Sequence, residues 1–324
     1  VIPQDNGTLT WTPQSAITGT IRIRMEKSGN NLIINGTNVN APNNTSGHWY
    51  TYSGNSITSI QWGRTNSASQ VQLIAIEVNG KMLRDSNLGN VPTLAATGAS
   101  IGTKQGFSMI KFTGNATAGA TIPHGLTKKP DFIVIKSIDQ SEIWTVFHRS
   151  VGWYKYLRLN TNDNATTGST VWNNIEPDDK FTTLGTFSGV NRAGTNFMAY
   201  TWHNVEGMQK FGQFYGNNST NGVYVELGFR PAVIWIKRYD DTSYNWNCWD
   251  NTRSPINPSN EVIRLNLNNV EEENYNNGNL DILSNGFKIR ATWPNINADN
   301  KTYIYCAWAD QPTFNSYGAQ SNAR

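Results

Sequence analysis

Pro231-Ala-Val-Ile-Trp-Ile-Lys237 is an almost unbroken apolar run headed by proline, and the chain carries a close copy of it at Pro130-Asp-Phe-Ile-Val-Ile-Lys136. One such heptamer is a common coincidence, so the match must be carried outward at nearly constant offset before it means anything. It extends both ways. Upstream, Phe112-Thr-Gly-Asn115 faces Phe214-Tyr-Gly-Asn217, and a glycine-containing turn precedes each proline, His124-Gly-Leu-Thr-Lys-Lys-Pro130 against Leu227-Gly-Phe-Arg-Pro231. Downstream, Leu157-Arg-Leu-Asn160 faces Ile263-Arg-Leu-Asn266, Phe181 faces Phe287, and Phe197-Met-Ala-Tyr-Thr-Trp202 faces Tyr303-Ile-Tyr-Cys-Ala-Trp308. Six matched blocks in one order describe a tandem duplication of about a hundred residues, the usual size of one domain.

Each heptamer has strand length and does not alternate, which predicts a strand covered on both faces. Lys136 and Lys237 are expected where that strand emerges into water. The aromatic blocks ending at Trp202 and Trp308 are expected to be a second buried strand, the last of each repeat. Asn-Gly pairs at 221–222, 277–278 and 285–286 mark turns. Ahead of the repeats, Ile21-Arg-Ile-Arg-Met25 alternates with period two. Leu32-Ile-Ile34 runs into Asn35-Gly36, and Val71-Gln-Leu-Ile-Ala-Ile-Glu-Val78 runs into Asn79-Gly80. Gly47-His-Trp-Tyr-Thr-Tyr52 and Ser59-Ile-Gln-Trp-Gly63 add two short aromatic strands. No window of a dozen residues shows capped 3.6-residue periodicity. The expectation is an all-β chain of three serial antiparallel β-sandwich (jelly-roll-like) domains: residues 1–86, a linker of small and turn-forming residues at 87–105, repeat 1 at 106–206, repeat 2 at 207–312 and a tail at 313–324.

Composition agrees with many short strands. Asn is about one residue in eight and charged residues are only 15%, which favours turns and left-handed positions over helices. A formal net charge of +3, with no basic run longer than a pair, gives no electrostatic reason to expect nucleic acid. No segment approaches the roughly 18 apolar residues of a membrane span, so no membrane insertion is expected. Cys248 and Cys306 lie 58 residues apart without Cys or His neighbours. Their sister positions hold Tyr200 and Val146 or Phe147, so buried free thiols are favoured over a disulfide or a metal site.

The chemistry-bearing candidates are few. His48, His124, His148 and His203 form no metal-ligand spacing, and each reads as a surface or turn residue. Glu176, Asp178 and Asp179, and Glu271-Glu-Glu273, are carboxylate clusters of the kind glycoside hydrolysis uses, but both stand in polar, turn-like contexts that suit a solvated face. No nucleophile elbow, phosphate-binding loop or dinucleotide fingerprint occurs, and no Asp-x-Asp-x-Asp-Gly calcium loop is present. The expectation is a protein that is not an enzyme and takes no cofactor or metal.

Aromatics are in excess, with 12 Trp, 13 Tyr and 12 Phe. Trp202, Trp235 and Trp308 fall in buried-strand blocks; others stand where the repeats disagree. Trp153, Tyr154 and Tyr156 occupy an insertion of repeat 1, Tyr244 and Trp246 follow the central strand of repeat 2, and Trp49 and Trp62 lie in the first unit. Flat rings beside Asn, Asp and Arg suit either a subunit interface, where Trp, Tyr and Arg are enriched, or sugar rings. The interface is preferred for Trp153, Tyr154 and Tyr156.

The ordered repeat pattern resembles a module of virion structural and tail-fibre proteins of tailed phages that infect cyanobacteria and other marine bacteria. Ile74-Ala-Ile-Glu-Val-Asn-Gly-Lys-Met-Leu83 is similar to the closing strand of a small β-domain often found beside that module. The likeness runs from about Gly19 to Asp310, departing from the usual repeat at Thr127-Lys-Lys129 and at Lys180-Phe181, where the second copy has Gly286-Phe287. It implies a component on the external surface of the virion, a tail fibre or host-attachment appendage. Its partners would be copies of itself, most often as a trimer, other virion proteins, and the host's surface polysaccharide. A capsid fibre or decoration protein without a receptor role is the alternative, and an enzyme acting on host polysaccharide a further one. The family supplies no catalytic residues.

Overall fold

The computed structural model describes residues 7–13, 16–29, 32–66, 69–82, 92–271 and 278–311. These fold as two compact units, 1–91 and 92–324, and all the sheets are antiparallel. The chain is all-β, as its patterning predicts.

The described residues of the first unit form ten strands: β1 (Gly7–Trp11), β2 (Ile17–Thr18), β3 (Ile21–Ser28), β4 (Leu32–Ile34), β5 (Thr37–Val39), β6 (Asn44–Thr51), β7 (Ser56–Ile57), β8 (Ile60–Asn66), β9 (Ser69–Val78) and β10 (Lys81–Met82). The main sheet runs β5-β4-β8-β9-β3-β6, with β1 also on β8 and β10 also on β9. The alternation at Ile21, Ile23 and Met25 puts all three side chains in the core, fully buried. Both Asn-Gly pairs make two-residue hairpin turns with φ near +50° and +80° (Asn35 52°, Gly36 76°; Asn79 51°, Gly80 79°), the left-handed geometry that Asn and Gly tolerate best. Asn35 does more than turn. Its Oδ1 accepts from the backbone N–H of Thr58 (2.7 Å) and Ser59 (3.2 Å), and its Nδ2 donates to the Ser56 carbonyl (2.9 Å).

The second unit contains both repeats. Repeat 1 comprises β11 (Ala96–Gly102), β12 (Phe107–Thr113), β13 (Ala120–Pro123), β14 (Phe132–Ser137), β15 (Thr145–His148), β16 (Lys155–Arg158), β17 (Thr166–Thr167), α1 (Ser169–Trp172), β18 (Phe181–Leu184), α2 (Ser188–Asn191) and β19 (Asn196–Trp202). Repeat 2 comprises β20 (Gln209–Tyr215), β21 (Tyr224–Glu226), β22 (Pro231–Arg238), β23 (Trp246–Asp250), β24 (Ile263–Arg264), β25 (Leu280–Leu283), β26 (Gly286–Ile289), α3 (Pro294–Asn297) and β27 (Thr302–Ala309). Each repeat has a large sheet, β11-β12-β19-β14-β15-β16-β17 or β20-β27-β22-β23-β24, and a small one, β13-β18 or β21-β26-β25. The duplication holds at the level of register: Val134 pairs Tyr200 and Val146, and Trp235 pairs Cys306 and Cys248.

The heptamer strands are covered on both faces, by two different covers. Ile133 and Ile135 point into a core closed by the small sheet and helices of their own repeat, with Phe112, Phe147, Trp172 and Phe197. Ile234 and Ile236 do the same in repeat 2, with Phe214, Trp249, Phe287 and Tyr303. The opposite faces of the two large sheets meet each other in one shared cluster that includes Phe132, Val134 and Val146 from repeat 1 and Phe211, Ile304 and Cys306 from repeat 2. Phe132 stacks on Phe211 with centroids 5.4 Å apart, and Trp202 meets the edge of Trp308 at 6.3 Å, spacings typical of favourable aromatic pairs. The expected third domain is therefore not separate: residues 92–324 form one compact unit in four layers.

Three further expectations change. The stretch read as linker contains β11, which pairs along β12 from Ala96↔Phe112 to Gly102↔Phe107; small residues suit an exposed edge strand as well as they suit a linker. Lys237 is fully buried, because repeat 1 covers it and its ammonium donates to the carbonyls of Tyr244 (2.6 Å) and Asn162 (3.3 Å). Its sister Lys136 is half-buried and bonds the nearby Ser137 and Gln140 carbonyls. Asn285-Gly286 does not form the turn alone; Gly286 already belongs to β26, opposite Leu283.

A matched pair of buried asparagines ties each repeat together. Asn191 at the end of α2 accepts from Asn115 N–H (2.9 Å) and donates to the carbonyls of Gly185 (2.8 Å) and Thr117 (3.0 Å). Asn297 at the end of α3 accepts from Asn217 N–H (2.9 Å) and donates to Ala291 (2.8 Å) and Ser219 (2.9 Å). Beside them a Cβ on Gly114 would fall 2.4 Å from the Arg192 carbonyl oxygen, and one on Gly216 2.2 Å from that of Ala298. These contacts give the Thr-Gly-Asn and Tyr-Gly-Asn blocks their reason: Gly for the close approach, Asn for the clamp.

Candidate functional site

The seven aromatics singled out from the sequence do not converge. Trp246 is fully buried, Tyr156 7% exposed and Trp62 8% exposed, so none of the three offers a ring face to a partner or a sugar. The Trp246 indole N–H donates to the Arg158 carbonyl across the repeat boundary (2.9 Å), and the Tyr156 hydroxyl accepts from the Arg158 guanidinium (3.0 Å). Tyr244 is half-buried under Arg238, whose Cζ lies 4.1 Å from the ring centroid. Trp49 is likewise half-buried, with Arg22 5.0 Å above it. Trp153 packs on the core of repeat 1, and only its neighbour Tyr154 is well exposed, at 54%.

The register points to a different tryptophan. Trp144 immediately precedes β15 as Trp246 opens β23, and both are held the same way. Trp144 N–H donates to Asn160 Oδ1 (3.0 Å) and its carbonyl accepts from Leu159 N–H (3.0 Å); Trp246 N–H donates to Asn266 Oδ1 (2.8 Å) and its carbonyl accepts from Leu265 N–H (2.9 Å). The two side chains part company. The Trp246 indole fills the space between the repeats, while Trp144 is 37% exposed and stands at the wall of an open cleft of about 280 Å³ lined by Trp144, Leu159 and Asn160 from repeat 1 and by Trp235 and Leu265 from repeat 2.

The chemistry of this cleft is simple. Among the described residues its walls are two indoles and two leucines, no charged side chain lines it, and the Asn160 amide nitrogen takes no protein partner. It can hold an uncharged molecule with a flat apolar face and a polar edge. Asn160 stands in a matched sequence block without any sign of a site, and Trp144 stands in none; the signal that joins them is the pairing of Asn160 with Trp144 and of Asn266 with Trp246. A second depression, of about 180 Å³ in the first unit, is lined by Glu26, Lys27, Ser28, Asn44, Thr45 and Gln70.

The titratable groups serve structure. His124 and His148 are buried rather than superficial, at 1% exposure each. In both, Nδ1 accepts from the backbone N–H two residues on, Leu126 (3.1 Å) or Ser150 (3.2 Å), and Nε2 donates to a carbonyl, of Asp178 (3.2 Å) or, in the other repeat, Tyr305 (3.3 Å). Burial pushes both imidazoles below the usual range, His148 to about 4. His203 is buried as well, with its Nδ1 on the Asn204 carbonyl (2.8 Å), and His48 is exposed. Asp178 accepts from the N–H groups of Lys180 (2.7 Å) and Phe181 (2.6 Å), closing a turn, and Glu176 pairs with Lys129. Glu271 pairs with Arg253, and Glu272 and Glu273 lie outside the described residues. Cys248 and Cys306 are buried free thiols. Both pair with Trp235 from opposite sides, so two inter-strand spacings, roughly 10 Å, separate them, too far for a disulfide. Among the described residues no group of His, Cys, Asp and Glu could hold a metal ion, and no helix is long and apolar enough to cross a membrane.

The comparison with known families is decided by extent. Residues 85–312, more than two thirds of the chain, match the model of a domain of unknown function, DUF7483. The chain belongs to the DUF7483 family. Its model spans both repeats as one, matching the compact unit in which they share a core. No curated protein and no solved structure matches the chain.

Proposed function

We propose that this DUF7483 protein is a non-catalytic subunit on the outside of a tailed-phage particle, a tail fibre or attachment appendage that meets the host surface. The ordered sequence blocks resemble those of such virion proteins. The observation that carries the reading furthest is the fusion of two β-sandwich repeats over one aromatic core, which makes a stiff body, combined with a tryptophan-walled cleft opening on its surface. A stiff spacer bearing a small recognition cleft is what attachment requires, because loops on a rigid scaffold bind without a large ordering cost.

Exposed Tyr154, Tyr215 and Tyr224 (54%, 58% and 41%) suit contact with further copies, and a homotrimer is the assembly this reading expects. Sedimentation equilibrium of the full chain at micromolar concentration should give the trimer mass; a clean monomer counts against it. The decisive test is gold labelling of intact particles with antibody raised against the chain. Label at the distal tail supports attachment, label over the capsid supports a decoration role without a receptor, and no label on intact particles refutes an external position.

A further inference from the structure

We infer that the cleft between Trp144 and Trp235 is a saccharide subsite that takes one neutral pyranose ring, with Trp144 as the stacking residue and the Asn160 amide as the donor to a ring hydroxyl. The inference deepens the attachment reading, yet it rests on the cleft itself.

Four observations fix the occupant. Among the described residues no charged side chain lines the cleft, so an anionic sugar, a phosphate or a basic peptide would find no counter-ion among them and would lose hydration without compensation. The walls are flat or aliphatic, formed by Trp144, Trp235, Leu159 and Leu265, which suits the C–H face of a sugar ring. One polar group is placed to orient it: Asn160 uses its Oδ1 to hold Trp144 N–H at 3.0 Å, which fixes the amide and leaves Nδ2 to donate outward. The volume of about 280 Å³ is at the small end of ligand sites and excludes a helix or a docked strand.

The sister site shows what this geometry accepts. There the corresponding gap is closed from within, by a flat indole whose faces lie among aliphatic and aromatic side chains while its single polar atom meets the Arg158 carbonyl at 2.9 Å. A flat ring with apolar faces and a hydrogen-bonding group at its edge is therefore the shape that fits between these two sheets. Repeat 2 supplies that ring from its own chain; repeat 1 leaves its tryptophan 37% exposed and the space open.

Saturation-transfer NMR on the full chain tests this, using the methyl glycosides of glucose, galactose, mannose and N-acetylglucosamine at millimolar concentration. The expected result is transfer to the protons of one ring face of at least one glycoside. In Trp144→Ala the dissociation constant should rise about tenfold or more, the loss of one aromatic contact. Asn160→Asp, which keeps the acceptor for Trp144 N–H and removes the donor, should weaken binding several-fold. Tyr154→Ala, which removes an exposed ring elsewhere, should leave binding unchanged. Retention of the wild-type circular dichroism spectrum and melting temperature by Trp144→Ala shows that the change is local. No transfer from any of the four glycosides overturns the proposal, as does transfer that survives in Trp144→Ala. Self-association abolished by Trp144→Ala also overturns it, since the cleft would then be covered by a second copy. Sugar binding by a chain absent from the particle surface would sink the attachment reading and leave the subsite standing.

Discussion

Replacing Trp246 by alanine should destabilise both repeats, although the residue belongs to one. Its side chain is fully buried in the shared cluster. Truncating a buried tryptophan costs about 3–5 kcal/mol through lost burial and the cavity left behind. The indole N–H also holds the Arg158 carbonyl at 2.9 Å, and losing that bond adds about 1 kcal/mol, for a total of about 4–6 kcal/mol. That is a large part of the roughly 5–15 kcal/mol that stabilises an ordinary domain. Equilibrium unfolding in urea followed by hydrogen exchange and mass spectrometry gives the opening free energy of β14 in repeat 1 and β22 in repeat 2 separately. In Trp246→Ala the two should fall together, because both strands lose the same covered face. A fall confined to β22, with β14 protected as in the wild type, would refute the shared core and restore two independent domains. A loss below about 1.5 kcal/mol would refute the packing argument itself.

The remaining expectations are narrower. Asn191→Ala removes one acceptor and two donor bonds and Asn297→Ala one acceptor and three donor bonds, so each should cost about 2–4 kcal/mol in chemical denaturation, with near-equal values because the extra bond of Asn297 goes to the exposed side chain of Asn217. Burial pushes Lys237 down to about 8, below its unfolded value. The folded chain then sheds this proton before the unfolded chain does, and stability should rise between about pH 8 and 10. Above that the buried Tyr303 and Tyr305, raised to about 12 by burial, reverse the trend, and Lys237→Met should flatten the rise when melting is followed across pH. Burial holds His148 near 4, so the stability its neutral ring contributes is complete above about pH 6.5 and is lost as pH falls toward 4. His148→Gln should shrink that loss in an acid titration of melting temperature.

Much of the fold can be read from the residues. Asn35-Gly36 and Asn79-Gly80 form their hairpins because the signal is local: two residues that tolerate positive φ, flanked by strand formers. The heptamers show that they are covered twice, since consecutive apolar residues, 132–135 and 232–236, leave no face for water. What covers the second face is not local. Phe132, Val134 and Trp235 look like ordinary strand residues, and nothing near them says that the other copy, a hundred residues away, supplies the lid. Lys237 misleads for the same reason. A lysine at a strand end belongs in water, and the carbonyls of Tyr244 and of Asn162, the latter brought up by the other repeat, make its burial tolerable. His48 is exposed as expected, whereas His124, His148 and His203 are buried on backbone partners, which carry no residue signature.

The candidate site was the least legible part. Tyr156 stands out by its place in a stretch where the repeats differ and Trp246 by its type, yet burial decides the role of both. Trp144 stands alone ahead of a short strand, and its meaning comes only from comparison with Trp246 once the register of β15 and β23 is known. A duplicated chain thus offers an internal control: the copy that fills a space shows what the other copy leaves open.

The shared core is the claim on which the cleft and the stiffness of the unit both depend, and the thiol of Cys306 tests it most directly. Cys306 lies on the face of β27 that meets repeat 1, fully buried in the common cluster. If the repeats share that core, Cys306 in the native full chain should resist a thiol reagent such as dithionitrobenzoate and label only at the rate at which the whole unit opens, as peptide mapping will show. Stoichiometric labelling of Cys306 within minutes under native conditions would mean that this face of β27 is open to water and that the repeats do not close over each other.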